Sequence, residues 1–168
     1  GRINLIGGHT DYNAGLALPA AINRWISVAL RPRTDDLIRV RSLDFGGELN
    51  GSLDGFPQLG ASWKRFVAGS VGVFGAQHPF PSGFDAVFTG DVPDGAGLSS
   101  SAALTIAWMT VFRAWVGANV EDIQLTQYAQ RVEHEYLGVK CGLLDQIGSL
   151  MARPGQLMLV DFQDLTVS

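Results

Sequence analysis

Residues 91–103, Asp-Val-Pro-Asp-Gly-Ala-Gly-Leu-Ser-Ser-Ser-Ala-Ala, constrain what this chain can fold into more than any other segment. They follow a strand-like run, Phe84 to Thr89, and lead into an apolar stretch, Ala102 to Val116, that reads as a helix buried on most sides. Gly95 and Gly97 put no Cβ atoms in the way, so backbone N–H groups there are free to converge on an anion. The unpaired amides and positive dipole end of the helix that follows add to that pull. A turn of this kind suits a phosphate.

Three readings of the turn compete. A Walker loop needs Lys followed by Ser or Thr at the helix start, and neither arrangement occurs here. Gly95-x-Gly97-x-x-Ser100 matches only half of a dinucleotide fingerprint, whose turn follows the first strand of its domain. At least three strand-like segments precede this one. The plainest alternative is a strand-to-helix turn with a serine N-cap, which glycine-rich sequence makes cheaply.

The 168 residues are one domain's length, and 46% apolar with 17% charged residues is a globular balance. A net charge of −4 without any basic run argues against a nucleic-acid partner. No apolar stretch approaches membrane-spanning length, so a membrane is not expected as a partner. Cys141 is the single cysteine and forms no internal disulfide, which fits a reducing, cytoplasmic setting. Nothing in the composition sets an oligomeric state.

Strands are expected over residues 1–6, 25–31, 37–41, 84–89 and 157–162. In residues 37–41, Ile38 and Val40 alternate with Arg39 and Arg41, as on a half-exposed strand. Ser62 stands where it would cap a helix carrying Trp63, Phe66, Val67, Val71 and Phe74 on one face. A further helix opens at Asn119 or Glu121 and carries Ile123, Tyr128, Ala129, Val132 and Tyr136, and a shorter one runs from Gly142 to Met151. Strands and helices mix without regular alternation, which points to an α+β fold.

Two further segments carry polar chemistry. Gly7-Gly-His-Thr-Asp-Tyr-Asn13 sets short polar side chains on a loop after a strand. That suits a polyhydroxylated ligand, whose hydroxyls each want a donor or acceptor, and it equally suits a turn bonding its own backbone. In the segment Glu133 to Gln146, Asp145 sits among Leu143, Leu144 and Ile147 near a helix start. A carboxylate among apolar neighbours is costly unless paired or put to use, though an acid in a first helical turn also gains from the dipole. His78 and His134 lack any ligand spacing and read as structural.

Taken together, the three segments resemble a known family. Gly1-Arg-Ile-Asn-Leu-Ile-Gly-Gly-His-Thr-Asp-Tyr-Asn13 resembles the galactokinase signature. Pro93-Asp-Gly-Ala-Gly-Leu-Ser-Ser-Ser-Ala-Ala103 resembles the second motif of the GHMP kinases. Cys141-Gly-Leu-Leu-Asp-Gln146 looks like the segment that carries the galactokinase catalytic carboxylate.

The resemblance implies a GHMP kinase N-terminal domain of the ribosomal protein S5 domain 2-like type across residues 1–168. It implies ATP-dependent phosphorylation of galactose, or a related sugar, at the 1-hydroxyl. In that scheme Asp145 is the base and Arg2 stabilises transition-state charge. Gly8, His9, Thr10, Asp11 and Gly142 line the sugar site. Gly95, Ala96, Gly97, Leu98, Ser99, Ser100 and Ser101 cradle the phosphates, Trp63 lies beside the adenine, and Ser101 with Glu133 holds Mg²⁺.

Two departures stand out. Gly8 occupies the place where galactokinases carry a sugar-binding Glu, so another sugar kinase of the superfamily remains an alternative. A sugar- and ATP-binding regulator without catalysis is another, against which Asp145, Arg2 and Glu133 all argue. Family members also continue into a C-terminal domain with a third Gly-rich motif, which leads us to expect a fragment truncated at both ends and inactive alone.

Overall fold

The computed structural model describes residues 1–55 and 62–168. Three short strands open the chain: β1 (Arg2–Asn4), β2 (Leu16–Ala17) and β3 (Pro19–Ala21). The main sheet is built from β4 (Ile26–Pro32), β5 (Leu37–Ser42), β6 (Glu48–Ser52) and β7 (Phe84–Gly90), in the order β4-β7-β5-β6. β7 lies antiparallel to β4 and parallel to β5, which pairs antiparallel with β6. A parallel pair needs a crossover, and α1 (Trp63–Gly75) supplies it. The alternation read from residues 37–41 holds: Ile38 and Val40 are buried while Arg39 and Arg41 face solvent.

The remaining helices are α2 (Ser100–Val116), α3 (Asp122–Val132) and α4 (Leu144–Met151). α2 is central and packs against α1, α3, α4 and β4. The core joins Ile38, Val40, Phe84 and Phe88 of the sheet to Val67, Val71 and Phe74 of α1 and Leu104, Trp108 and Phe112 of α2. Aromatic rings meet edge to face there, as in Phe84 on Phe112 with centroids 5.5 Å apart. Burial along α2 is concentrated between Ala102 and Phe112, so its last turn is less enclosed than its apolar sequence suggests.

Several elements depart from the sequence reading. The strand expected over residues 1–6 is confined to Arg2–Asn4, where it pairs with β3. The strand expected over residues 157–162 reduces to β8 (Val160–Asp161), with Leu157 bridging separately to Ala20. β8 joins β2 and β9 (Thr166–Val167) in a second small sheet. Pairings of two or three residues between distant segments are too short to leave a period-2 pattern. β6, with Glu48, Asn50 and Gly51, has little strand propensity and owes its existence to pairing with β5.

Ser62 stands at the N-cap position of α1 but makes no side-chain capping bond, which corrects its expected role. The helix expected to run through Tyr136 is regular only to Val132 and then widens into a π-turn over Glu133–Leu137. Gly69 and Gly72 of α1 admit that turn, because a Cβ at either would collide with Val132 or Tyr136. No described helix is long and apolar enough to cross a membrane.

Candidate active site

Arg2 joins the three sequence segments in space. Its Nε donates to Asp145 Oδ1 at 3.0 Å, its Nη2 bonds the same oxygen, and its Nη1 donates to the Gly97 carbonyl at 3.0 Å. The Arg2 backbone N–H adds a bond to the Leu98 carbonyl at 3.3 Å, tying β1 to the Gly-rich loop. The stem of Arg2 lies against Gly148, one turn beyond Asp145, where an added Cβ would stand 3.0 Å from Cγ. A planar guanidinium with several donors makes this three-way link where a point charge would not.

Asp145 is less enclosed than its neighbours in sequence suggest. Leu144 and Ile147 turn into the core, while the Asp145 side chain stays 37% exposed and faces Arg2. Successive helical positions point about 100° apart, so apolar sequence neighbours do not make an apolar setting.

The loop between β1 and β2 folds largely on itself. Thr10 Oγ1 donates to the Gly7 carbonyl at 2.7 Å, Asn13 Nδ2 donates to the His9 carbonyl at 2.7 Å, and His9 Nδ1 bonds the Tyr12 hydroxyl. Gly8 and His9 are exposed. Asp11 reaches across the molecule, where its Oδ2 accepts the Leu144 N–H at 3.3 Å and so caps α4. Gly142 packs against it so closely that a Cβ there would lie 1.9 Å from Asp11 Oδ2. Asp11 and Gly142 thus meet at the start of α4, the helix that bears Asp145, while His9 stays with its own loop neighbours Tyr12 and Asn13 and Thr10 is partly spent on that loop.

The Gly-rich turn takes the backbone the sequence implies. Gly95, Gly97 and Ser99 have positive φ of 68°, 71° and 57°, and Ser99 makes no side-chain cap. Beside it, Trp63, Phe66, Phe88, Leu104, Ser100 and Ser101 line a cleft of about 290 Å³. Trp63 is both a core residue and a wall of this cleft, edge-on to Phe88 at 5.1 Å. An apolar cleft beside a helix N-terminus fits a base with its phosphates.

The sequence reading passed over two residues here. Asp94 Oδ1 accepts the Gly95 N–H at 3.1 Å and the Ser100 hydroxyl at 2.9 Å, holding the turn together. Phe45, exposed before Gly46-Gly47 in the β5–β6 turn, lines the same cleft as Trp63. An acid before a Gly turn was a readable signal for the first. The second depends on which loops meet.

Glu133 opens the π-turn and is only 6% exposed. Burial first, and the charge of Asp145 second, raise its carboxyl above the ordinary value. Gln146 Nε2 donates to its Oε1 at 3.0 Å. The neighbouring Cys141 thiol is pushed up to about 12, by burial and then by Glu133, so it is neutral at physiological pH. His134 is spent on the backbone of Cys141, with Nε2 2.9 Å from that carbonyl.

Hydroxyl and carboxylate oxygens such as those of Ser101 and Glu133 are donors Mg²⁺ accepts. No hydrogen bond joins Ser101 to Glu133, and no group of three or more His, Cys, Asp or Glu among the described residues forms a metal site alone. A cation here would complete its shell with phosphate and water oxygens, as Mg²⁺ commonly does.

Residues 65–153 match the GHMP kinases N terminal domain, more than half of the chain, and residues 1–32 match the galactokinase galactose-binding signature. The chain belongs to the GHMP kinase family. It is 40% identical to a galactokinase of Roseiflexus sp. (99% of this chain, 42% of the relative) and 40% identical to one of Mycobacterium tuberculosis (99% and 46%). It therefore spans less than half the length of these relatives. A galactokinase of Lactococcus lactis in complex with galactose superposes with a TM-score of 0.91 at 32% identity, over 100% of this chain and 44% of that one. A mevalonate kinase shares the α+β fold at a TM-score of 0.79 and 17% identity, over 99% and 53%.

Proposed function

We propose that this chain is the sugar- and ATP-binding part of a galactokinase, which transfers the γ-phosphoryl group of ATP to the 1-hydroxyl of galactose. The observation that carries the reading is the Arg2 side chain, which links the Asp145 carboxylate to the Gly97 carbonyl of the phosphate-type loop. It sets a basic oxygen and a phosphate-binding turn on either side of one fixed cation.

In this reading the sugar 1-oxygen attacks the γ-phosphorus, its proton passes to Asp145, and the bond to the β-phosphate oxygen breaks to release ADP. The Gly95–Ser101 amides and the N-terminus of α2 hold the phosphates, and Arg2 offsets the charge that develops between them. His9 and Asp11 bind sugar hydroxyls, and the cleft at Trp63 takes the adenine. Ser101 and Glu133 would hold Mg²⁺, which supplies charge neutralisation on the phosphates when bound. A cytoplasmic location goes with this activity.

Because the relatives are more than twice as long, the tests below apply to the protein at that full length, and little turnover is expected from residues 1–168 alone. The direct test of the loop is Gly97→Val. The left-handed φ of 71° strains any β-branched residue, and side-chain atoms would stand where phosphate approaches the amides. ATP affinity in the full-length protein should fall by about tenfold or more, since loss of charge-assisted bonds costs about 1.5–3 kcal/mol. Unchanged ATP affinity in a folded variant would remove the phosphate-cradle reading.

Gly8 favours a second reading, a related kinase for another sugar. The position is exposed and a Cβ there meets nothing within 4 Å, so the space for a Glu exists but is unfilled. For a galactokinase, Gly8→Glu should lower the KM for galactose about tenfold to a hundredfold by adding one charged hydrogen bond. Galactose kinetics that stay level or worsen, with a different sugar preferred in a panel, would support the second reading instead.

A further inference from the structure

Gln146 is fully buried, at 0% exposure, yet it stands in a helix whose other inward positions, Leu144 and Ile147, are apolar. Its Nε2 donates to Glu133 Oε1 at 3.0 Å and lies 3.6 Å from the Cys141 sulfur, while its own Oε1 is buried without a partner. An unpaired buried amide oxygen is costly, so an apolar residue of similar size would suit the core better. The donor side of the amide is the part in use. Among the described residues Gln146 is the only nitrogen or oxygen donor to the Glu133 carboxylate, the Cys141 thiol being its other side-chain partner, and Glu133 opens a π-turn, a geometry that recurs at functional sites.

We propose that Gln146 is a positioning residue for the metal-binding carboxylate: its amide engages Glu133 Oε1 and so orients Glu133 toward the divalent cation carried in with ATP. The proposal rests on the reading of Glu133 as a Mg²⁺ ligand. It gives α4 two adjacent tasks. Asp145 faces Arg2 and the sugar side, and Gln146 faces inward and holds Glu133 across from α3. A shift of this one helix would displace both carboxylates together. Outer-shell partners that orient a metal ligand commonly account for a tenfold to a hundredfold share of metal affinity.

The measurement is ATP binding to the full-length protein by titration calorimetry, with and without Mg²⁺, so that the readout is the affinity gained on adding the metal and not turnover. Gln146→Asn keeps an amide but withdraws it by one methylene, and Gln146→Met keeps the length without a donor. Both should bind metal-free ATP as the unmodified protein does and lose about tenfold to a hundredfold of the Mg²⁺-dependent gain. Glu133→Gln should lose that gain as well. If Glu133→Gln loses it while a folded Gln146 variant keeps it, the positioning role is overturned and the metal-ligand reading stands. If Glu133→Gln keeps it, the metal-ligand reading falls and the proposal with it. The unmodified protein supplies an independent measurement should neither variant fold. The Gln146 side-chain amide protons should shift in NMR spectra when Mg²⁺ joins bound ATP, and their failure to move overturns the proposal.

Discussion

Asp145→Asn should lower kcat of the full-length protein by about a hundredfold or more and leave ATP affinity intact. The substitution preserves shape and one acceptor oxygen, so the bonds from Arg2 Nε and Nη2 to that position retain a partner. What disappears is the negative charge that, on the proposed function, would accept the sugar's proton. The helix start loses a favourable acid as well, a cost of about 0.3–1 kcal/mol that the fold tolerates. Arg2→Lys should also damage kcat, because a single ammonium cannot bond both Asp145 and the Gly97 carbonyl in the geometry of the guanidinium fork. The decisive pair of measurements is steady-state kcat and a direct ATP titration. Near-normal kcat for Asp145→Asn would reduce Asp145 to an acid that stabilises α4, with positioning alone left to account for the chemistry.

Gly142→Ala should weaken galactose binding by more than about tenfold and spare ATP. The new Cβ would fall 1.9 Å from Asp11 Oδ2 and 2.1 Å from its Cγ, so the carboxylate must swing away. It then leaves the Leu144 N–H it caps at the start of the helix that bears Asp145. One methyl group thereby removes a helix cap and, on the proposed function, a carboxylate of the sugar site together. Galactose titration into the full-length protein separates the outcomes. Unchanged galactose affinity would mean that Asp11 serves α4 alone, a structural capping residue with no part in the sugar site.

Much of the site was legible because its residues cluster in three short segments whose chemistry is local. Gly95 and Gly97 take the left-handed backbone that glycine makes available, and Ile38 and Val40 turn inward as their alternation requires. Those features depend on bonds and neighbours within a few residues. Asp94 gripping its own turn belonged to the same class and was readable in principle.

Other features were misread or missed because sequence adjacency is a poor guide to surroundings. Leu143, Leu144 and Ile147 suggested an apolar pocket for Asp145, yet the helix turns Leu144 and Ile147 inward and Asp145 toward Arg2. Asp11 reads from sequence as a sugar-site residue or as one bonding its own turn, and neither reading foresees its bond to Leu144, 133 positions away. The π-turn at Glu133–Leu137 follows from how Tyr136 seats on the bare face of Gly69 and Gly72, a packing event with no local code.

The amino-acid order alone determined the α+β class, the left-handed glycine turn ahead of α2 and which polar residues cluster in short segments, because backbone preference and hydrophobic period act over a few residues. Tertiary structure alone decided that Arg2 couples Asp145 to the Gly-rich loop, that Asp11 caps the helix bearing Asp145, and that Gln146 holds Glu133. Each of those contacts requires two segments to be brought within about 3 Å by the packing of β1 and α3 around α4. Hydrogen bonds fall away within a fraction of an ångström, so only the folded arrangement of the core determines which donors find which carboxylates.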